Sequence, residues 1–99
     1  MEILKTDYCY NLYKCNDDFY ILGTAREVNS LWGADVNRCG TTKELFEYCY
    51  NIAKIQKNTI AEYKEQYRKD GHCGWLIMIQ QKKKELQMHI NFAKFLKTL

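Results

Sequence analysis

The sequence predicts an α+β domain in which one long helix packs on one face of a small antiparallel sheet. The expected element order is β-β-α-β-β, followed by a short C-terminal helix. Three observations lead to this prediction: runs of strand-forming residues near the start, an uninterrupted amphipathic stretch over residues 41–69, and, after residue 74, an apolar run followed by apolar residues with a period of two over residues 86–92. Two hairpins pair most readily as one antiparallel sheet, and a helix then covers its apolar face. The 99 residues are expected to form a single domain, residues 1–99.

A β-hairpin is predicted over residues 7–24. One side of the first strand would carry Tyr8, Tyr10 and Leu12, which alternate with Cys9, Asn11 and Tyr13, and residues 19–22 are all good strand formers. Between them, the polar residues 16–18 have the composition of a turn. Residues 2–5 are expected to extend the first strand of this hairpin.

The segment 25–40 allows more than one interpretation. Residues 25–32 fit one or two helical turns ended by Gly33, and they fit a continued strand equally well. The remainder, up to Gly40, has the composition of a loop. Trp32 is interpreted as a core residue because exposure of its large apolar area is unfavourable, and a binding anchor is the alternative.

The long helix is the clearest element of the sequence. Thr41 and Glu44 have the spacing of a capping box, in which each side chain bonds the other residue's backbone amide. No proline or glycine interrupts residues 41–69, which would form a helix about 43 Å long at 1.5 Å per residue. Such a helix would either project past the core or break near residues 58–59. At 100° per residue, one face collects the expected core residues: Leu45, Cys49, Ile52, Ile60, Tyr63 and Tyr67, with Tyr48, Ile55 and Thr59 beside them.

The motif DGHCGW at residues 70–75 is interpreted first as a boundary between two elements. Gly71 follows the last helical residues and suits a left-handed helix C-cap. Gly74 would permit the turn into a following strand. Both glycines are therefore explained without any catalytic chemistry.

The C-terminal part is predicted to form the second pair of strands. Residues 75–80 are an apolar run typical of a buried strand, and residues 81–85 are a charged connector. Residues 86–91 alternate between apolar and polar types, which indicates a half-buried strand, and a short helix is expected from about Phe92. A helix over residues 86–99 is the alternative, because their apolar residues also match a helical spacing.

Composition narrows the class of protein. The apolar run of residues 75–79 is far too short to span a bilayer, and the start of the chain shows no secretory signal, so a cytoplasmic location is expected. No metal or cofactor site is predicted, because the five cysteines form no CxxC pair and no glycine-rich phosphate motif is present. The abundance of Lys, Asn, Ile, Tyr and Phe, whose codons are rich in A and T, suggests a gene from an AT-rich genome or from a mobile element such as a phage.

No catalytic residue is assigned. A catalytic cysteine needs a histidine within hydrogen-bonding reach, and His72 and Cys73 are neighbours whose side chains would point to opposite faces of a strand. The preferred interpretation of His72 is a partly exposed residue near the helix C-terminus, where a cation is favourable. The protein is therefore expected not to be an enzyme, with a thiol-dependent enzyme at Cys73 kept as a third hypothesis.

Charge on the solvent face of the long helix is sorted by sign. One side, called here the basic flank, carries aromatic and cationic residues after Lys43: Phe46, Tyr50, Lys54, Lys57, Lys64 and Arg68. The other side carries Glu44, Glu47, Glu62 and Glu65. A helix selected for solubility alone more often mixes signs at i and i+4, although a solvated face with chance sorting is the alternative. If functional, the basic flank is suited to an acidic partner.

The leading hypothesis is a small binding protein that occupies the acidic surface of a protein partner as an inhibitor or adaptor. Phage genes often encode inhibitors of bacterial nucleic-acid-targeting defence complexes, which makes such a complex a candidate target. Direct nucleic-acid binding through the basic flank is the runner-up, although the formal net charge of +3 is modest for that role. The exposed edges of a small sheet would also allow a homodimer, with a monomer as the alternative.

Overall fold

The structure is a computed structural model that describes residues 2–26 and 38–99. Its four strands form one antiparallel sheet in the order of the chain: β1 (Glu2–Asp7), β2 (Tyr10–Asn16), β3 (Phe19–Gly23) and β4 (Cys39–Gly40). Two helices follow, α1 (Thr42–Asp70) and α2 (Gly74–Leu96). The α+β class, the antiparallel sheet and the long helix are confirmed. The two expected strands after residue 74 are wrong.

The hairpin predicted over residues 7–24 is present as β2 and β3. Residues 2–5 do not extend its first strand, because Tyr8 takes a left-handed backbone conformation (φ 55°) and turns the chain into a separate strand. Gly40, expected in a loop, pairs with Tyr20 as part of β4. The predictions on residues 27–37, including Trp32, lie outside the described residues.

Helix α1 has the predicted length and both predicted ends. The Glu44 amide donates to Thr41 Oγ1 at 3.2 Å, and the Thr41 amide donates to Glu44 Oε1 at 3.2 Å, which completes the capping box. Gly71 follows the helix with φ 67°, and its amide donates to the Tyr67 carbonyl at 2.7 Å. The helix runs for 29 residues without interruption. The caps satisfy the Thr41 and Glu44 amides at the start and the Tyr67 carbonyl at the end.

A second helix replaces the two strands expected over residues 75–80 and 86–91. Its 23 residues contain no proline, glycine occurs only at the first position, and the charged centre consists of good helix formers. The alternation over residues 86–92 has another cause: Met88 and Phe92 face the sheet, whereas Leu86 and Ile90 line the other side of the helix. The short helix expected from Phe92 is the final part of α2. Gly74 begins that helix rather than a strand.

The two helices form an antiparallel hairpin on one face of the sheet. The core lies between them and the strands, where Leu12 and Leu22 meet Leu45 of α1 and Phe92 of α2, all nearly fully buried. At the end of the sheet, Asn91 Nδ2 donates to Asp7 Oδ2 at 2.8 Å. The sheet therefore fixes one end of the hairpin. Near the other end, at the start of α2, Leu76, Ile77 and Met78 are exposed.

The core-facing side of α1 differs from the predicted one by a partial rotation. Ile60 is 7% exposed, as expected, but Ile55 is 58% exposed and Tyr67 is 36% exposed. Gln56 is buried instead. Polar partners on α2 satisfy the Gln56 amide: its Nε2 donates to Glu85 Oε2 at 3.1 Å. A buried amide with bonded partners is tolerated at a position where the sequence pattern favours an apolar residue.

Candidate functional site

A long groove runs between α1 and α2. It consists of three adjoining depressions of about 280, 250 and 250 Å³. We call it the interhelical groove, and its apolar floor is formed by Phe46, Ala53, Leu86, Ile90 and Ala93. All of its lining residues belong to the helices or to the residues after α2, because the core side of the hairpin is occupied by the sheet.

Five lysines surround this floor. Three come from α1 and two from the end of the chain: Lys43, Lys54, Lys57, Lys94 and Lys97. All five are exposed, and the described residues that line the groove include no acid. Like charges gathered around apolar walls produce a positive potential that favours an anionic partner.

Cation–π contacts position two of the five lysines that form the rim of the interhelical groove. Phe46 and Tyr50 stack one helical turn apart, with ring centroids 6.3 Å apart and planes 15° from parallel. Lys54 Nζ lies 4.5 Å from the Tyr50 centroid, and Lys97 Nζ lies 4.8 Å from the Phe46 centroid. Such contacts are worth about 0.5–1 kcal/mol at exposed sites. They hold two ammonium groups over the aromatic side chains.

The structure brings together part of the predicted basic flank. Phe46, Tyr50, Lys54 and Lys57 all line the interhelical groove. Lys64 and Arg68 are exposed on later turns of the same helix and do not line it. The Arg68 guanidinium also bonds the Glu65 carboxylate at 2.7 Å, so the two predicted flanks meet at this point.

Sequence reasoning missed Lys94 and Lys97. They were expected in a short terminal helix of unknown placement, and no partner surface was assigned to them. A usable signal was present, because Leu86, Ile90, Lys94 and Lys97 follow one another at spacings of four, four and three residues. Reading residues 86–99 as a helix would have placed both lysines beside the apolar residues of the groove.

The DGHCGW motif forms the turn between the two helices. Asp70 Oδ1 accepts the His72 amide at 2.8 Å, and Asp70 Oδ2 accepts the Trp75 indole N–H at 2.9 Å. These two bonds lower the pKa of the Asp70 carboxyl. His72 Nδ1 accepts the Gly74 amide at 3.1 Å. The motif therefore stabilises a turn, because its side chains bond backbone amides and one side chain within the motif.

A cavity of about 430 Å³ lies at the same turn, lined by Asp70, His72, Gly74, Trp75 and Met78. The lone pair of His72 Nδ1 is already used by the Gly74 amide, so this nitrogen does not act as a base toward Cys73 in this arrangement. Trp75 packs against Tyr63 with ring centroids 5.4 Å apart. The cavity walls therefore serve first to pack the turn of the hairpin.

Cys49 of α1 is a fully buried thiol. Burial raises the pKa of the Cys49 thiol to about 12, which keeps it protonated at neutral pH. Within residues 2–26 and 38–99, no cluster of three or more His, Cys, Asp or Glu side chains is arranged to hold a metal ion.

Neither described helix combines the length and apolar character that a membrane span requires.

The interhelical groove is thus the surface on which apolar area, positive charge and ordered aromatic rings coincide. Such a combination of features can contact an acidic macromolecule through both apolar and charged groups. Comparisons of the chain with protein-family models, with curated proteins and with solved structures found no match.

Proposed function

We propose that this chain is a non-enzymatic binding protein that holds an acidic surface of a partner protein in the interhelical groove. The observation that carries the proposal is the apolar floor bordered by five exposed lysines. Occupation of the partner's surface would make the protein an inhibitor or adaptor. Because the composition suggests a phage or mobile-element gene, a bacterial nucleic-acid-targeting defence complex is the proposed target.

Floor and rim would contribute to binding in different ways. Apolar area removed from water contributes roughly 25 cal/mol per Å², whereas an exposed ion pair contributes only about 0.2–1 kcal/mol. The affinity would therefore come mainly from Ala53, Ile90 and their neighbours on the floor. The lysines would accelerate association with an acidic surface and select against basic partners.

Direct nucleic-acid binding is the competing function, and the aromatic residues argue against it. Bases bind single-strand proteins by stacking on open aromatic faces. Here, Lys54 lies over one face of Tyr50 and Lys97 over one face of Phe46. Phe46 and Tyr50 also stack on each other. These contacts leave less ring surface for bases, and an apolar floor adds nothing to phosphate binding.

A charge-reversal experiment tests the proposal. The groove variant Lys54→Glu/Lys94→Glu is compared with a control, Lys69→Glu/Lys84→Glu, in which the same number of exposed lysines change away from the groove. Tagged forms of both variants and of the wild type are used to capture partners from lysate. Circular dichroism melting first establishes that both variants are folded.

The expected result is one stoichiometric protein captured by the wild type and by the control but lost from the groove variant. Equal capture by all three proteins would place binding elsewhere and would contradict the proposal. Recovery of nucleic acid, removed by nuclease or by moderate salt, would support the competing function instead. The affinity for nucleic acid would fall steeply as the salt concentration rises, because binding releases counterions from the phosphates.

A further inference from the structure

We infer that the segment held in the interhelical groove is an acidic amphipathic α-helix, which completes a three-helix bundle with α1 and α2. This inference rests on the proposed function and specifies the chemistry of the partner. Three features of the groove lead to it: the small residues on its floor, the absence of backbone partners for an extended chain, and the distribution of its lysines.

Small side chains make the floor suitable for a helix. Ala53 of α1 and Ala93 of α2 line the same depression, with Ile90 between two of the depressions. Helices pack 8–10 Å apart, and side chains of one helix enter the grooves of the other. The alanines leave space there for large apolar side chains of a third helix. Leucine or phenylalanine at i, i+3 or i+4, and i+7 would fill this space.

An extended segment does not suit this surface. A bound strand obtains much of its affinity from hydrogen bonds to an exposed sheet edge. The walls here are helices, whose backbone amides and carbonyls are bonded within α1 and α2. An extended chain on the apolar floor would leave its own backbone groups without partners, which is costly away from water. A helix satisfies these groups internally.

The lysines define the length and the charges of the expected helix. On α1 they run from Lys43 to Lys57, a span of about 21 Å at 1.5 Å per residue. A helix of about four turns covers this distance. Lys94 and Lys97 come from the other wall, so acidic residues are expected on both sides of the apolar stripe.

Synthetic peptides of about 16 residues test the inference directly. The probe peptide carries leucines at helical spacing with glutamates on both sides. One control has the same composition in an order that destroys the apolar stripe, and another carries a central proline that interrupts the helix. Binding is measured by fluorescence anisotropy, and helix formation is measured by circular dichroism of the mixture.

A protein variant with its own control locates the binding site. Ala53→Gln narrows the floor without changing charge, and Ala61→Gln makes the same change at an exposed position outside the groove. Melting curves establish that both variants fold. We expect the probe peptide to gain helicity on binding, to bind Ala53→Gln about tenfold more weakly, and to bind Ala61→Gln like the wild type.

The inference would be overturned by absence of binding, by equal binding of the scrambled or proline peptide, or by binding without gain of helicity. Equal affinity of the probe peptide for Ala53→Gln and Ala61→Gln would also overturn it. If the peptides fail while the Lys54→Glu/Lys94→Glu protein still loses its captured partner, the proposed function stands and only the helical form of the partner is wrong. Failure of both experiments rejects both statements.

Discussion

The imidazole of His89 on α2 lies 3.1 Å from the side-chain oxygen of Gln56 on α1, in the interface between the helices. The same ring nitrogen, Nδ1, lies 2.8 Å from the Glu85 carbonyl oxygen. Because a carbonyl oxygen only accepts, Nδ1 carries the proton of the neutral ring. Glu85 also bonds Lys82 at 3.2 Å, so a small polar network joins the two helices.

Stability is expected to fall when the pH decreases below the ordinary histidine value of 6.5, because the pKa of His89 is lowered in the folded protein. Burial is the main cause of the lowered pKa, and the charges of Arg38 and Lys82 act in the same direction, whereas Glu85 opposes them. The unfolded chain then binds the proton more readily, and protonation favours unfolding.

Urea unfolding of the wild type and of His89→Gln at several pH values measures this effect. The variant removes the titrating group and leaves an uncharged polar side chain at this position. We expect the free energy of unfolding to depend less on pH in the variant between about pH 7.5 and pH 5.5. Parallel pH profiles for the two proteins would show that His89 is not responsible.

Two isoleucines of α1 provide a matched test of the observed core. Ile60 is 7% exposed and Ile55 is 58% exposed. Ile60→Ala is expected to destabilise the fold by about 2–4 kcal/mol, because it removes buried methyl groups and leaves a cavity. Ile55→Ala is expected to change stability by no more than about 0.5 kcal/mol. Similar losses in chemical denaturation would contradict the observed rotation of α1.

Removal of the capping hydroxyl is expected to weaken α1 at its start. Thr41→Ala loses the bond that Oγ1 accepts from the Glu44 amide, at a cost of about 1 kcal/mol. Thr59→Ala is the control, because the Thr59 hydroxyl donates to the Ile55 carbonyl within the helix, where alanine is a better helix former. The control is expected to be neutral or slightly stabilising in thermal melts. Destabilisation of equal size in both variants would argue against a specific role of the cap.

The left-handed backbone at Gly71 predicts a graded response to substitution. A Cβ atom added there would meet nothing within 4 Å, so any loss must come from its φ of 67°. Gly71→Ala is expected to cost about 1 kcal/mol, and Gly71→Asn less, because asparagine adopts this conformation more readily. Chemical denaturation measures both variants. An alanine variant as stable as wild type would show that the turn does not require the left-handed conformation.

The sequence was most informative where one residue pair or one glycine determines the local structure. The Thr41–Glu44 cap and Gly71 defined α1 at both ends, because their hydrogen-bonding and backbone requirements are local. Residues 86–91 were misassigned because Met88 faces the sheet while Leu86 and Ile90 line the interhelical groove, so the apolar residues of α2 alternate there as they do in a strand. Residues 75–80 were misassigned because an apolar run was taken to be buried, whereas Leu76, Ile77 and Met78 are exposed on the helix. Tertiary packing, which the local pattern does not contain, decided this part of the fold.

Only the part of the candidate site that lies on α1 was predicted, because the position of α2 depends on tertiary packing. Phe46, Tyr50, Lys54 and Lys57 follow from helical periodicity within α1 alone, and the structure places them together. The second wall of the groove depends on the position of α2 beside α1. That position is set by long-range contacts such as the bond from Gln56 to Glu85. A periodicity argument within one helix does not contain this information.

Elements that follow one another in the chain are also neighbours in space: the strands pair in sequence order, and α2 returns directly along α1. Contacts of this kind close short loops, so each step of folding costs little chain entropy. The bond between Asp7 and Asn91 is a long-range closure that can follow these local steps. Because the sequence contains no proline, slow isomerisation does not delay any step. Refolding from denaturant is therefore expected to finish within about milliseconds.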